Sequence, residues 1–147
     1  MNTVPDQDSI REQIKLSARD QAYLGAMENP SHQSVVRNPF CGDEILAAIK
    51  LDSVGTIEEI KAQVRGCLVA RAAWSMLAPK LQGLTVPEAL NLIRLIQSEL
   101  GSENGDLKFT PLPSPLSSLL AYRLPSPRHS CATLGGDAVL KALQTEN

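Results

Sequence analysis

A chain of 147 residues is the usual size of one domain and gives room for a single core. Its 43% apolar and 20% charged content exclude disorder over the whole length. With 14 basic against 16 acidic residues, a net charge of -2, and two Phe, two Tyr and one Trp, it offers neither the basic field nor the stacking surface that nucleic acid or anionic lipid requires. No apolar run approaches the roughly 20 residues that span a bilayer, and the polar start MNTVPDQDSIREQ lacks a signal-peptide core, so a cytoplasmic chain without membrane contact is expected.

Ser9 to Met27 opens with an amphipathic helical pattern, Ile10, Ile14 and Leu16 apolar with charges between them, and Asn29-Pro30 ends it. From Asp43 to Leu51 the period is two, with Ile45, Ala47, Ile49 and Leu51 on one side. Asp52-Ser53-Val54-Gly55 then supplies a turn. Thr56 to Val64 alternates again through Ile60, Ala62 and Val64, so the two runs predict an antiparallel hairpin.

After Gly66-Cys67, the residues Leu68, Val69, Ala72, Ala73, Met76 and Leu77 recur at helical spacing, with Gly83 at the far end. Thr85 and Glu88 form a capping-box pattern with Pro87 in the first turn. They begin a helix that buries Leu90, Ile93, Leu95 or Ile96, and Leu100. Around 101–127 the prolines Pro111, Pro113, Pro115, Pro125 and Pro127 predict mostly loop, with one short helix over Leu116 to Tyr122. CATLGGDAVLKALQ reads as a final helix although Gly135 and Gly136 each cost about 1 kcal/mol there relative to Ala. One domain over 1–147 with a proline-rich insertion accounts for the whole pattern.

Three cysteines, Cys41, Cys67 and Cys131, are an odd set and so no complete set of internal disulfides; in a reducing compartment, metal binding and thiol chemistry become the candidates. Cys41 precedes the first predicted strand and Cys67 follows the second, so the hairpin brings them together. Cys131 stands at the predicted start of a helix, where exposed N–H groups and the helix dipole favour a thiolate. Cys67 shares that placement. Asp43 lies two residues from Cys41 across Gly42, so a tight turn aims both side chains at one point. Three sulfurs and one oxygen suit Zn²⁺ or iron. Taken singly, each cysteine reads equally well as a small buried hydrophobe, and Asp43 as a turn residue. It is their common position at element boundaries that favours a site.

These residues also carry a family likeness. Asn38-Pro39-Phe40-Cys41-Gly42-Asp43-Glu44-Ile45 resembles the NPxCGDxI signature of the iron–sulfur assembly proteins of the IscU, SufU and NifU N-terminal type. Gly66-Cys67 with Ala72, Ser75 and Met76, the stretch GLTVPEALNLI, and Arg128 with Cys131-Ala132-Thr133-Leu134 are similar to the motifs that follow in that family. The long separation of Cys67 from Cys131, and Arg128 three residues before Cys131, resemble the SufU branch. The IscU branch has histidine where Ser130 stands here, and His129 falls one position too early to replace it.

The resemblance implies an α+β fold of SufE/NifU-like type, a small antiparallel β-sheet with helices packed on one face and a metal and thiol site at one end. It implies Cys41, Asp43, Cys67 and Cys131 as ligands of zinc or iron, with a transient [2Fe-2S] cluster as cargo. Cys41 and Cys131 would act in sulfur transfer with Arg128 holding the anionic sulfur. A cysteine desulfurase would be the sulfur-donating partner and Fe–S acceptor proteins the recipients. On this view the chain is at most a sulfurtransferase-like partner of the desulfurase, and otherwise a scaffold. A non-catalytic adaptor of the desulfurase and a structural zinc domain are the competing expectations. The chain departs from the family pattern at Val64, where glycine is usual, and at Arg71 and Trp74, which replace small or apolar residues. Val64 implies reduced backbone freedom beside Cys67, and a buried Trp74 demands local repacking.

Overall fold

The computed structural model describes residues 7–39, 42–100 and 126–144. In chain order these form α1 (Gln7–Arg19), β1 (His32–Arg37), β2 (Glu44–Leu51), β3 (Ile57–Arg65), α2 (Leu68–Leu81), α3 (Val86–Leu100) and α4 (Ser126–Gln144). Cys41, residues 101–125 and the short helix expected over 116–122 lie outside the described residues. So do the side chains of Arg128 and His129, whose backbone belongs to α4.

The strands make one antiparallel sheet in the order β1-β2-β3. Its register aligns Val36, Ile45 and Val64 in one row, Ser34, Ala47 and Ala62 in the next, and His32, Ile49 and Ile60 in a third. Since alternate side chains share a face, these rows line a single side of the sheet. Ile45, Ala47, Ile49, Ile60 and Ala62 are fully buried there under the helices. The α+β architecture with helices on one face is thus the one expected. The hairpin β2–β3 is also as expected, closed at its turn by Asp52 Oδ1, which accepts from Val54 N at 3.0 Å and Thr56 N at 2.9 Å.

Two local expectations are corrected. The amphipathic pattern from Ser9 continues past the end of α1, which stops at Arg19: Asp20 Oδ1 accepts the Ala22 N–H at 3.0 Å, and the chain turns to lay Tyr23–Gly25 along β3, with Ala62 N donating to Tyr23 O and Gly25 N to Ala62 O. Leu16, counted on the apolar face, is 63% exposed, whereas Ile14 is buried. Strand β1 has no counterpart among the expected elements. Its burial alternates, but the inward residues are His32, Ser34 and Val36, so the apolar period is hidden. Ser34 is held inward by donating to Ala138 O of α4 at 2.6 Å.

The start of α3 follows the capping box: Thr85 N donates to Glu88 Oε1 and Glu88 N to Thr85 Oγ1. The Thr85 backbone N–H and then its hydroxyl, both donating to Glu88 Oε1, hold the Glu88 carboxyl below its usual pKa. Of the expected face Ile93 and Ile96 are buried, joined by Ala89, and Leu90 is half-buried; the side chain of Leu100 lies outside the described residues.

Trp74 of α2 is fully buried, and its indole N–H donates to Tyr23 O at 3.0 Å. The repacking that this residue demands is supplied by α4. A Cβ on Gly135 would lie 2.9 Å from Trp74 Cε3, and one on Gly136 would lie 3.0 Å from Ile93 Cγ2. The two glycines that weaken α4 as an isolated helix therefore let it approach α2 and α3.

Gly135→Ala is expected to lose stability: about 1 kcal/mol of helix propensity is gained, against roughly 1–3 kcal/mol of overpacking on Trp74. In a Trp74→Leu background the same change should become neutral or stabilising. Urea titration of the four variants of this cycle reads the change of sign. A second expectation concerns Asp137, whose carboxyl is pushed up by burial, partly offset by the hydrogen bond from Gln97. The folded chain holds that proton more readily than the unfolded chain, so this contribution to stability is whole below the unfolded value of about 3.9 and is lost as pH rises through the raised folded value. Asp137→Asn should therefore melt higher than the wild type near neutral pH, with the gap closing in acid.

Candidate metal and thiol site

The turn that carries Asp43 is the β1–β2 connection. Asn38 N donates to Asp43 O at 2.7 Å, extending the ladder, and Gly42 N donates to Asn38 O at 2.9 Å. Gly42 has φ +74, a left-handed conformation that other residues adopt at a cost. Asp43, 5% exposed, is thereby fixed at the head of β2.

At the same end of the sheet, β3 finishes at Arg65 opposite Glu44, and the chain passes through Gly66 to Cys67, the N-cap of α2. Cys67 makes no side-chain cap hydrogen bond. Instead its backbone N–H donates to Asp43 Oδ1 at 3.2 Å. Asp43 thus takes the anionic place at the helix start that a capping side chain usually fills. This seat needs a glycine beforehand: a Cβ on Gly66 would lie 2.7 Å from Asp43 Cγ. Val64, by contrast, sits in β3 with no positive φ, so the strand takes the residue without strain.

Cys131 reaches the same place from α4. It is 1% exposed, whereas Cys67 is only partly buried. Ligand atoms of Asp43, Cys67 and Cys131 all lie within 4.8 Å of one another. A tetrahedral centre with Zn–S of about 2.3 Å and Zn–O of about 2.0–2.2 Å spaces neighbouring donors roughly 3.3–3.8 Å apart. The three groups therefore fit a metal of zinc or iron size with little movement. Gly66 supplies the matching cradle, since any side chain there would displace the carboxylate.

The juxtaposition expected of Asp43, Cys67 and Cys131 is present. One argument for Cys131 is corrected: α4 begins at Ser126, so Cys131 lies in the second turn of the helix, beyond the exposed N–H groups of the first turn. Of the two described cysteines, only Cys67 stands at a helix start. A residue named so far only as part of the NPxCGDxI-like motif also joins the site. Asn38, 3% exposed, directs its side-chain amide at Cys131, with Nδ2 3.8 Å from Sγ, so the turn supplies a donor to the sulfur as well as the bend. Its burial was not legible because asparagine in an Asn-Pro turn already has a sufficient local reason to be there.

Outside, Arg37 pairs with Glu44 at 2.6 Å across β1 and β2, bracketing the turn on the solvent side. Among the described residues, no helix is long and apolar enough to cross a membrane.

A three-stranded antiparallel sheet with helices on one face, carrying a buried carboxylate and two thiols at one end, defines a class of α+β domains able to hold a metal through sulfur and oxygen. Residues 18–145 match the NifU-like N terminal domain, and the chain belongs to that family, with IscU and SufU proteins as distant relatives. It is 30% identical over 121 residues to the iron-sulfur cluster assembly scaffold protein IscU 1 of Archaeoglobus fulgidus, covering 82% of this chain and 65% of that one. The chain thus spans just under two thirds of that relative. It is 25% identical over 134 residues to the zinc-dependent sulfurtransferase SufU of Bacillus subtilis, covering 86% of this chain and 89% of that one. In fold it is similar to the N-terminal part of a nitrogen-fixing NifU-like protein from Brucella abortus. That match has a TM-score of 0.69 at 18% identity and covers 95% of this chain and 96% of that one.

The seat of the carboxylate generates a prediction. Gly66→Ala should lower zinc affinity about 10- to 100-fold, the scale on which groups that orient a ligand act. Competition against a chromogenic chelator measures it, and an unchanged circular dichroism spectrum shows that the fold survives.

Proposed function

We propose that this protein accepts sulfur from a cysteine desulfurase and holds it, with iron, as an iron–sulfur cluster in formation, at a site made by Cys41, Asp43, Cys67 and Cys131. The observation that carries this reading is the convergence of Asp43, Cys67 and Cys131 from three separate elements onto one point at the sheet end. Family membership supports the same reading.

Cys67 and Cys131 would hold the metal through sulfur and Asp43 through oxygen, with Cys41 as the fourth ligand and Arg128 as a positioning residue for anionic sulfur. A bound Zn²⁺ or iron keeps ligating thiols deprotonated at neutral pH. Asp43 is fixed by the Cys67 N–H, and Asn38 offers its amide to Cys131, so both are oriented before any donor arrives. Cys67 is partly exposed, which leaves the site open to a donor on that side, unlike a closed structural zinc site.

The transfer moves one sulfur without net oxidation. The accepting thiolate bonds to the terminal sulfur of the donor's persulfide, the donor S–S bond breaks, and its electron pair leaves on the inner sulfur as a thiolate. The proton of the terminal sulfur stays on it or passes to solvent.

Incubation with a cysteine desulfurase, cysteine and limited reductant should add the mass of one sulfur to a peptide containing Cys41, Cys67 or Cys131, and Cys→Ser at that position should abolish it. Added iron should then give a cluster absorbance that Asp43→Ala weakens severalfold. A chain that takes up neither sulfur nor metal contradicts the proposal.

A further inference from the structure

Arg71 is a charged residue of α2 that neither the core nor the ligand set explains. Its backbone N–H donates to Cys67 O at 3.2 Å, so the two residues are one helical turn apart on neighbouring positions of the same face. Side chains on a helix lean toward its N-terminus and cover the preceding turn, which for Arg71 is the turn of Cys67. Almost every other position from Val69 to Ala78 is buried, so the outward stripe of α2 at this end is Leu68, 46% exposed, and Arg71. At about 100° per residue, Arg71 falls between Cys67 and Leu68 in projection down the helix.

The guanidinium makes no hydrogen bond or ion pair among the described residues, and its Nε is buried without a partner. A charged donor held out of water and left unsatisfied costs free energy, and it is retained where something else completes it. The cluster that contains Cys67, one helical turn before Arg71, consists of groups that are anionic when they bind metal: one carboxylate and two thiols. A cation reaching over the Cys67 turn would offset that charge and present a planar donor fork to an approaching anion.

We propose that Arg71 is an anion-recognition residue of the thiol site, on the Cys67 side and distinct from Arg128, drawing an anionic sulfur donor there and pairing with its terminal sulfur. This rests on the sulfur-acceptor reading for the identity of the anion, a persulfide, but not for the anion selectivity itself. Arg71 acts as a positioning residue. The transfer step is the one given above, and Arg71 forms and breaks no covalent bond.

The experiment alkylates the reduced, metal-free full chain with iodoacetate, an anion, and iodoacetamide, its neutral counterpart, and follows Cys67 by peptide mass spectrometry. Both reagents meet the same thiol, so the ratio of their rates cancels changes in its ionisation or general exposure. The wild type should show a ratio severalfold higher than Arg71→Met, with Arg71→Lys between them and Lys80→Gln, at the far end of α2, equal to the wild type. Added salt should lower the wild-type ratio toward that of Arg71→Met. In parallel, a low-molecular-weight persulfide should half-load Arg71→Met only at severalfold higher concentration than the wild type. Equal ratios in wild type and Arg71→Met overturn the assignment of Arg71 whatever the sulfur result. A wild type that keeps the ratio but takes no sulfur overturns the sulfur-acceptor reading, and with it the persulfide as the anion, while the selectivity of Arg71 stands.

Discussion

The Asp43 carboxylate seated against the backbone of Gly66 and Cys67 is the contact on which the rest of this end of the molecule depends. It joins the head of β2 to the start of α2 through the hydrogen bond from the Cys67 N–H to Oδ1. It is possible only because residue 66 has no Cβ. The carboxylate thereby serves two ends at once: it caps the helix electrostatically and presents an oxygen beside two sulfurs. A buried carboxylate is costly unless its charge is used, and a metal held by thiolates is a natural use of it.

The third ligand group, Cys131, comes from a different helix, and helix packing as well as the Asn38 amide from the turn fixes its place. Gly135 lies one turn beyond Cys131 on α4 and meets Trp74 of α2, while Ile45 Cδ1 would lie 3.7 Å from the same missing Cβ. The indole is itself tied to Tyr23 O, in the segment that runs along β3. The large side chain on α2 and the missing one on α4 thus form one joint that sets how closely the helices bearing Cys67 and Cys131 approach. A change at Trp74 reaches the site through this joint, although the indole contains no ligand.

Much of the architecture was legible because local and long-range signals agreed. The period of two in β2 and β3, the Thr85–Glu88 capping box and the return of the hairpin to its origin all survive folding unchanged. That return was enough to place Asp43 beside Cys67, and the family motifs supplied Cys131. What was not legible depends on partners distant in sequence. Strand β1 hides its period behind His32 and Ser34, the latter satisfied by Ala138 more than a hundred positions away. Helix α1 ends at a side-chain turn made by Asp20 rather than at the later Asn29-Pro30. Gly135 looks like a defect in a helix until Trp74 is set against it. Arg71 reads only as a departure from the family pattern until its Nε is found buried one turn from Cys67.

The central claim is that sulfur and carboxylate oxygen together hold a metal at the end of this sheet. X-ray absorption at the metal edge of the anaerobically purified or zinc-reconstituted protein tests it most directly. The account predicts a mixed shell, with sulfur at about 2.3 Å and oxygen at about 2.0–2.2 Å, in which Asp43→Ala alters the oxygen component alone. A shell of nitrogen and oxygen without sulfur, or one unchanged by Asp43→Ala, would contradict it.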